Sequence, residues 1–467
     1  LKVYNTTNKN IAIPSLKLGQ GEASKYRLMV DGIPGKVFNN IELLAKDSMF
    51  VFVETTIDYN EYANSETTFL YTDRIEFGTT NDFQKVELVT LVQDAVFIYP
   101  ERTPNGTNQF SYEQILLGMD EDGNNVIVNG SNLSQNDAVN GNELHWTNTK
   151  PYVIYGYAKI PENEILQVDA GVRAYFHSES GLIVSENASL QINGTHSTTE
   201  SLENEVIFQG DRLEPIYEDV AGQWGTVWFF PGSKNNSIKN LTLKNATVGL
   251  LVSGNDGTIN PTIDIENTQI YNCSNVGILA RTGNVTGKNM VINNCGQASF
   301  AGSFGGSYDF THCTFANYWP VPNQTCILLS NENISNTTET VLLKADFKNC
   351  IIYGSSNLGL SLKKEGTVFN YNFTNCLIKF IDSGNQFAGN ELYDFANNPL
   401  LQDCIIAKNN SQNKPYFLAP NENQLVIGEN SIAKGNAAFS FSGFKDITNQ
   451  DRTNPSDMGA YNFVVFD

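Results

Sequence analysis

"ADFKNCIIYGSSNLGLSL" (345–362) is followed by "FTNCLIKF" (373–380) and preceded by "IYNCSNVGIL" (270–279) and "VINNCGQASF" (291–300). Each holds an Asn-Cys step inside a short apolar run. Metal binding, disulfides or a repeating coil could each produce such a repeat. A zinc site needs thiolate or imidazole ligands clustered by spacing. The seven cysteines fall at 273, 295, 313, 326, 350, 376 and 404, with no Cys-x-x-Cys, and the four histidines (145, 177, 196, 312) are scattered. An odd count leaves at least one thiol outside any set of disulfides. The intervals between cysteines are 22, 18, 13, 24, 26 and 28 residues. Most are close to one turn of a parallel β-helix, where like residues stack rung on rung. In that reading Cys273, Cys295, Cys350 and Cys376 point inward as small apolar residues. The Asn before each stands near a corner, bonding the turn backbone and the Asn one rung away. Disulfide, reactive and metal-binding cysteines are the alternatives.

The text around these steps supports the coil. From about 151 onward short apolar-alternating segments, such as "GLIVSENASLQING", "NEVIFQG" and "YDFTHCTFANYW", are separated by Asn, Gly and Ser. A propeller blade takes about forty residues and four antiparallel strands, whereas here similar strands recur every 20 to 28 residues. Residues 1–99 differ. "IAIPSLKL", "YRLMVDG" and "KVELVTLVQDAVFIY" alternate in period two between closely spaced turns, the pattern of an immunoglobulin-like β-sandwich. Residues 100–149, rich in Asn, Gly and Asp, read as a hairpin and connection, and 150–467 as a right-handed parallel β-helix with a C-terminal cap. The expected class is all-β.

Composition narrows the function. The net charge of the 467 residues is −21, which repels nucleic acid and anionic membranes. An anionic polysaccharide would need bridging cations. No run of 18 apolar residues is present, so no spanning helix is expected.

Several stretches carry a resemblance. "KPYVIYGYAKI" (150–160), "AGVRAYFHSESGLIV" (170–184), "VIFQGDRLEPIYEDVAGQWGTVWFFPGSKNNSIKN" (206–240), "GILARTGNV" and "DFTHCTFANYW" are similar to a group of surface β-helix lipoproteins of Bacteroidota. "TNKNIAIPSLKL" and "LLAKDSMFVFVETTID" resemble the abnormal-spindle/hydin type of immunoglobulin-like domain that opens that group. The closing "NPLLQDC", "LVIGENSIAKGNA" and "DMGAY" resemble segments that seal many bacterial β-helices. The resemblance implies export and attachment to the outer membrane through a lipidated cysteine upstream of Leu1. It implies no chemistry.

Any catalytic chemistry must then be legible in the residues themselves. Pectin-type β-helix hydrolases use paired acids on adjacent rungs, but their Asn-Thr-Asp, Asp-Asp, Gly-His and Arg-x-Lys steps are absent here. The acids on rungs are Asp264, Glu266, Asp309 and Asp346, all among turn or solvent-face text. Asp309 and His312 are the best acid–imidazole pair on the rungs, yet an offset of three on a strand sends them to opposite faces. The most irregular text is "DRLEPIYEDVAGQW" (211–224). It reads either as a loop pinned by an Arg–carboxylate pair with Trp224 covering the coil, or as a contact site for a sugar or protein. The candidate contact residues are Asp211, Arg212, Tyr217, Trp224, Trp228 and Trp319, since aromatic faces dominate such sites. "DEDGNN" (120–125) has its glycine misplaced for a calcium loop and reads as a turn. Asn-x-Ser/Thr sequons, as at Asn187, Asn193 and Asn240, follow from Asn-rich turns. "DSM" (47–49) makes Ser48 a candidate for O-glycosylation. No metal and no cofactor are expected. The expected function is a non-catalytic surface binding or scaffold protein, with a protein of the outer membrane or a glycan as partner. The alternative is a polysaccharide lyase or glycoside hydrolase on the same scaffold.

Overall fold

The computed structural model describes residues 1–58, 68–79, 82–106, 109–119, 122–332, 341–438, 444–452 and 454–466. The chain forms two compact units, Leu1–Ala95 and Val96–Asp467. The first unit has two antiparallel sheets of four strands. One runs Lys2–Tyr4, Ser48–Thr55, Tyr26–Val30, Ile33–Gly35; the other runs Val37–Leu43, Ile11–Leu18, Thr68–Gly78, Phe83–Gln93. Alternation along each strand sends Leu16, Leu18 and Ile75 from one sheet, and Tyr26, Leu28 and Val51 from the other, into one core. Ser48 opens its strand, partly exposed, opposite Tyr4.

The second unit is a parallel β-helix. Face one begins with the hairpin of Gln114–Met119 and Asn125–Asn132 and continues through Tyr157–Ile160 to Leu360–Lys363. Face two runs from His145–Trp146 to Leu401–Gln402, and face three from Val96–Ile98 to Ile405–Ala407. The three faces share one continuous core of buried aliphatic and aromatic side chains. Stacking is residue on residue: Phe347 lies on Phe373 with ring centroids 4.7 Å apart and planes 7° from parallel.

Rungs begin earlier than position 150. Val96–Ile98 pairs in parallel with Tyr152–Ile154, Gly130–Asn132 with Tyr157–Lys159, and His145–Trp146 with Gln167–Val168. Strands of two or three residues, separated by long hairpin insertions, carry too little period-two pattern to be seen in the sequence.

The Asn-Cys steps form two ladders at two different corners. Cys273 stacks on Cys295 where face three ends. Cys313, Cys350, Cys376 and Cys404 stack where face three begins, linked by backbone bonds from Ile351 N to Cys313 O, Leu377 N to Cys350 O and Ile405 N to Cys376 O, each 2.8–2.9 Å. All seven cysteines are free, and all but Cys404 are buried. The partner asparagines turn the chain with positive φ: Asn272 at 55°, Asn294 at 53°, Asn349 at 55° and Asn375 at 50°. Asn visits this region more readily than other non-glycine residues.

The closing segment does not seal the end of the coil. It folds back along the outside of face three, where Leu425, Ile447 and Ala460 cover Tyr271, Val291 and Ala316. Ile427, Ala433 and Met458 cover Ile351 and Leu377. The last rung is closed by the insertion between Phe380 and Leu401. There Phe387, Tyr393 and Phe395 pack on Phe380, and the Tyr393 hydroxyl accepts from Leu362 N at 2.7 Å on the open edge of face one.

Candidate functional site

The corner between faces three and one gathers the long insertions. Residues 211–224 loop out there early in the coil, and 318–324, 355–358 and 381–399 loop out at the same corner of later rungs. Three intervening rungs turn this corner in a few residues, through Asn245–Thr247, Ser274–Asn275 and Gly296–Gln297. Short corners between long ones leave a groove of about 1600 Å³. Its lining runs from Asp219 to Tyr393, six rung steps of about 4.8 Å, or roughly 29 Å.

Its floor is Asn272, Asn294 and Gln297. Asn423, in the C-terminal strap, holds that floor: it donates to Asn272 Oδ1 at 3.3 Å and accepts from Asn293 and Asn294 at 2.9 Å each. One wall is the end of the 211–224 loop, where Asp219 accepts from Asn272 Nδ2 at 3.0 Å. A second wall is Tyr318, Trp319 and Pro320, beyond which the lining continues to Lys363 and Tyr393. That wall is anchored: Trp319 O accepts from Gln324 Nε2 at 2.9 Å and from Ser355 Oγ at 3.2 Å. Buried Lys379 donates to Gly354 O at 2.8 Å beneath it, and burial lowers its pKa. Among the described lining residues Asp219 is the single carboxylate and Lys363 the single cation.

The six residues singled out in the sequence separate. Trp319 lines the groove. Trp228 stands on the outer side of face one, its Nε1 donating to Ser253 Oγ at 2.7 Å. Arg212 stacks over Tyr217 at 3.8 Å and pairs with Glu214 at 3.0 Å, so both fold onto their own loop. Asp211 turns the other way, to His177 Nδ1 at 2.7 Å. Trp224 is no contact residue. It is 1% exposed, lies flat on Phe176 with centroids 4.2 Å apart, and donates to Lys244 O at 2.9 Å. The loop leaves the coil and returns through Trp224, whose indole fills the core of that rung. Asn272, Asn294, Gln297 and Gln324 were missed, because at sequence level they are ordinary corner amides.

The acids considered for catalysis lie elsewhere. Asp264, Asp309 and Asp346 point outward from face two in one column, with Thr286 between the first two. Lys344 pairs with Asp309 and sits 3.6 Å from Asp346. Thr286 donates to Asp264. His312 is buried beneath the strap and bonded to Asn349 at 3.0 Å, away from Asp309. No group of three or more potential metal ligands occurs among the described residues. Asp120 and Glu121 of the 120–125 turn lie outside the described residues.

No protein-family model matches the chain, and no curated protein matches it. Among solved structures it is similar to the catalytic unit of the thermostable GH87 alpha-1,3-glucanase from Streptomyces thermodiastaticus strain HF3-3. Identity is 10% over 81% of this chain and 73% of that one, with a TM-score of 0.25. A likeness that distant carries no argument about chemistry.

Proposed function

We propose that this protein is a non-catalytic surface protein that binds an extended, uncharged glycan along the groove. The observation that carries this reading is the lining: an aromatic wall at Tyr318 and Trp319 faces a floor of side-chain amides, with one carboxylate and one cation. A sugar ring has an apolar face that packs on an aromatic ring and a rim of hydroxyls that amides both donate to and accept from. Two convergent carboxylates, which most glycoside hydrolysis uses, do not occur among its described lining residues. The acids of face two are engaged with Lys344 and Thr286 on an open sheet. The sandwich unit, read as immunoglobulin-like, serves as spacer or dock to an outer-membrane protein. Attachment is through a lipid upstream of Leu1, as the resemblance to Bacteroidota lipoproteins implies; proteolytic shaving of intact cells tests that placement.

Trp319→Ala tests the groove. Loss of an aromatic anchor costs about 2 kcal/mol, or roughly thirtyfold in affinity. Thermal stability should change little, because Trp319 is not a member of the core. Unchanged glycan affinity in this variant would overturn the reading. Release of reducing ends from a polysaccharide by the purified chain would turn it to the hydrolase alternative, with Asp309 and Asp264 the first acids to replace.

A further inference from the structure

A second pocket, of about 640 Å³, lies at the start of the coil on the same corner. The hairpin of Gln114–Met119 and Asn125–Asn132 forms one side, and the first two rungs form the other. Tyr112, Tyr155, Tyr157 and His177 line it, with Gln114 and Asn129 between them. Two features mark it as a shaped site. The Tyr157 ring rests against Gly181 and Gly225, where an added Cβ would run into the ring or its hydroxyl. The His177 ring is held from two directions, packed at a tilt of 39° against Tyr155 with centroids 4.6 Å apart, and bonded through Nδ1 to Asp211 at 2.7 Å. Asp211 accepts a hydrogen bond from Nδ1–H, so in the neutral imidazole Nε2 is left as an acceptor with its direction set by the pair. Tyr112 and Tyr155 keep 46% and 37% of their surface exposed.

We infer that this pocket is a separate binding site for one neutral sugar unit, stacked on Tyr155 or Tyr112 with a hydroxyl donated to His177 Nε2. Asp211 is a positioning residue in it. The site draws on residues that the groove does not use, so the two readings stand apart. Three rung steps of about 4.8 Å place it roughly 14 Å along the coil from the Asn272 floor, with the 211–224 loop between them.

The test is calorimetric titration of the full chain with cellotetraose, maltotetraose, mannotetraose and chitotetraose. Two sites per chain are expected for at least one probe. Tyr155→Ala and Tyr112→Ala should each remove one site or weaken it at least tenfold, and Trp319→Ala should remove only the other. Asp211→Asn should weaken the first site severalfold and Asp211→Glu should restore part of the affinity, which a loss of packing alone would not do. Tyr112 ends the exposed strand Phe110–Tyr112, which pairs only with Arg102–Pro104, so its variant keeps the test open if Tyr155→Ala fails to fold. If Trp319→Ala has no effect while the tyrosine variants lose the single observed site, the groove reading fails and this one stands. Binding unchanged in both tyrosine variants, or no binding of any of the four probes, overturns it.

Discussion

Trp224 shows how much one side chain decides. In the sequence it belongs to a polar loop, yet its indole is stacked inside the coil. Trp224→Ala should therefore cost about 3–5 kcal/mol of stability, and a melting curve would show it, whereas Trp228→Ala should leave the melting temperature nearly unchanged. The cysteines make a second case. Burial pushes the Cys326 thiol up to about 12, and Cys295, Cys350 and Cys376 are raised well above the ordinary range mainly by burial. A buried, protonated thiol reacts slowly. Thiol titration should find seven reactive groups in denaturant and almost none in the native protein, with partly exposed Cys404 the first to react. Fewer than seven in denaturant would mean that a disulfide or modification exists.

At the scale of elements, the strap is the part whose position has consequences. Arg452 crosses from it to the coil, donating to Asn289 Oδ1 at 2.7 Å, and itself lies partly buried with its pKa lowered by desolvation to about 10. His312 sits under the same strap, beside Phe444 at 5.4 Å. Burial, and then the charge of Arg452, lower its pKa to about 3. The unfolded imidazole titrates near 6.5, so between those values the unfolded chain holds a proton that the folded chain lacks. Stability contributed here is complete above about pH 6.5 and is lost as pH falls, by about 1.4 kcal/mol per pH unit. His312 takes the corner conformation, φ 53°, that Asn289 and Asn349 take on the neighbouring rungs. His312→Asn should fold and should flatten the acid limb of the stability profile by about one proton. An unchanged slope would show that His312 is not the group responsible. Strand alternation is not what separates Asp309 from His312, since the strand ends at Thr311 and His312 stands at the corner, and nothing in the sequence places it beneath residues more than a hundred positions later.

On the scale of the whole molecule, two units with separate cores should unfold as two events. Calorimetry of the full chain should resolve two transitions, and residues 96–467 alone should reproduce one of them. A cut at 150 instead removes Val96–Ile98 and His145–Trp146 from the first rung, exposing the edges of faces two and three. That fragment should melt lower or aggregate. Equal stability of the two fragments would show that the first rung contributes little.

What the sequence determined by itself is the repeating architecture. Short alternating strands, corner asparagines and cysteines mostly about one turn apart are local features, and a coil built from nearest-neighbour stacking needs little else. The irregular 211–224 segment was legible as a loop for the same reason, since no strand pattern runs through it. Tertiary structure alone decided which ladder each Asn-Cys step joins, where Trp224 points, that the chain's end becomes a strap, and that Asp219 and Trp319 face one groove. Each of these depends on contacts between residues distant in sequence. Such contacts are set by packing and by the lengths of the corners in between, and neither leaves a periodic mark on the chain.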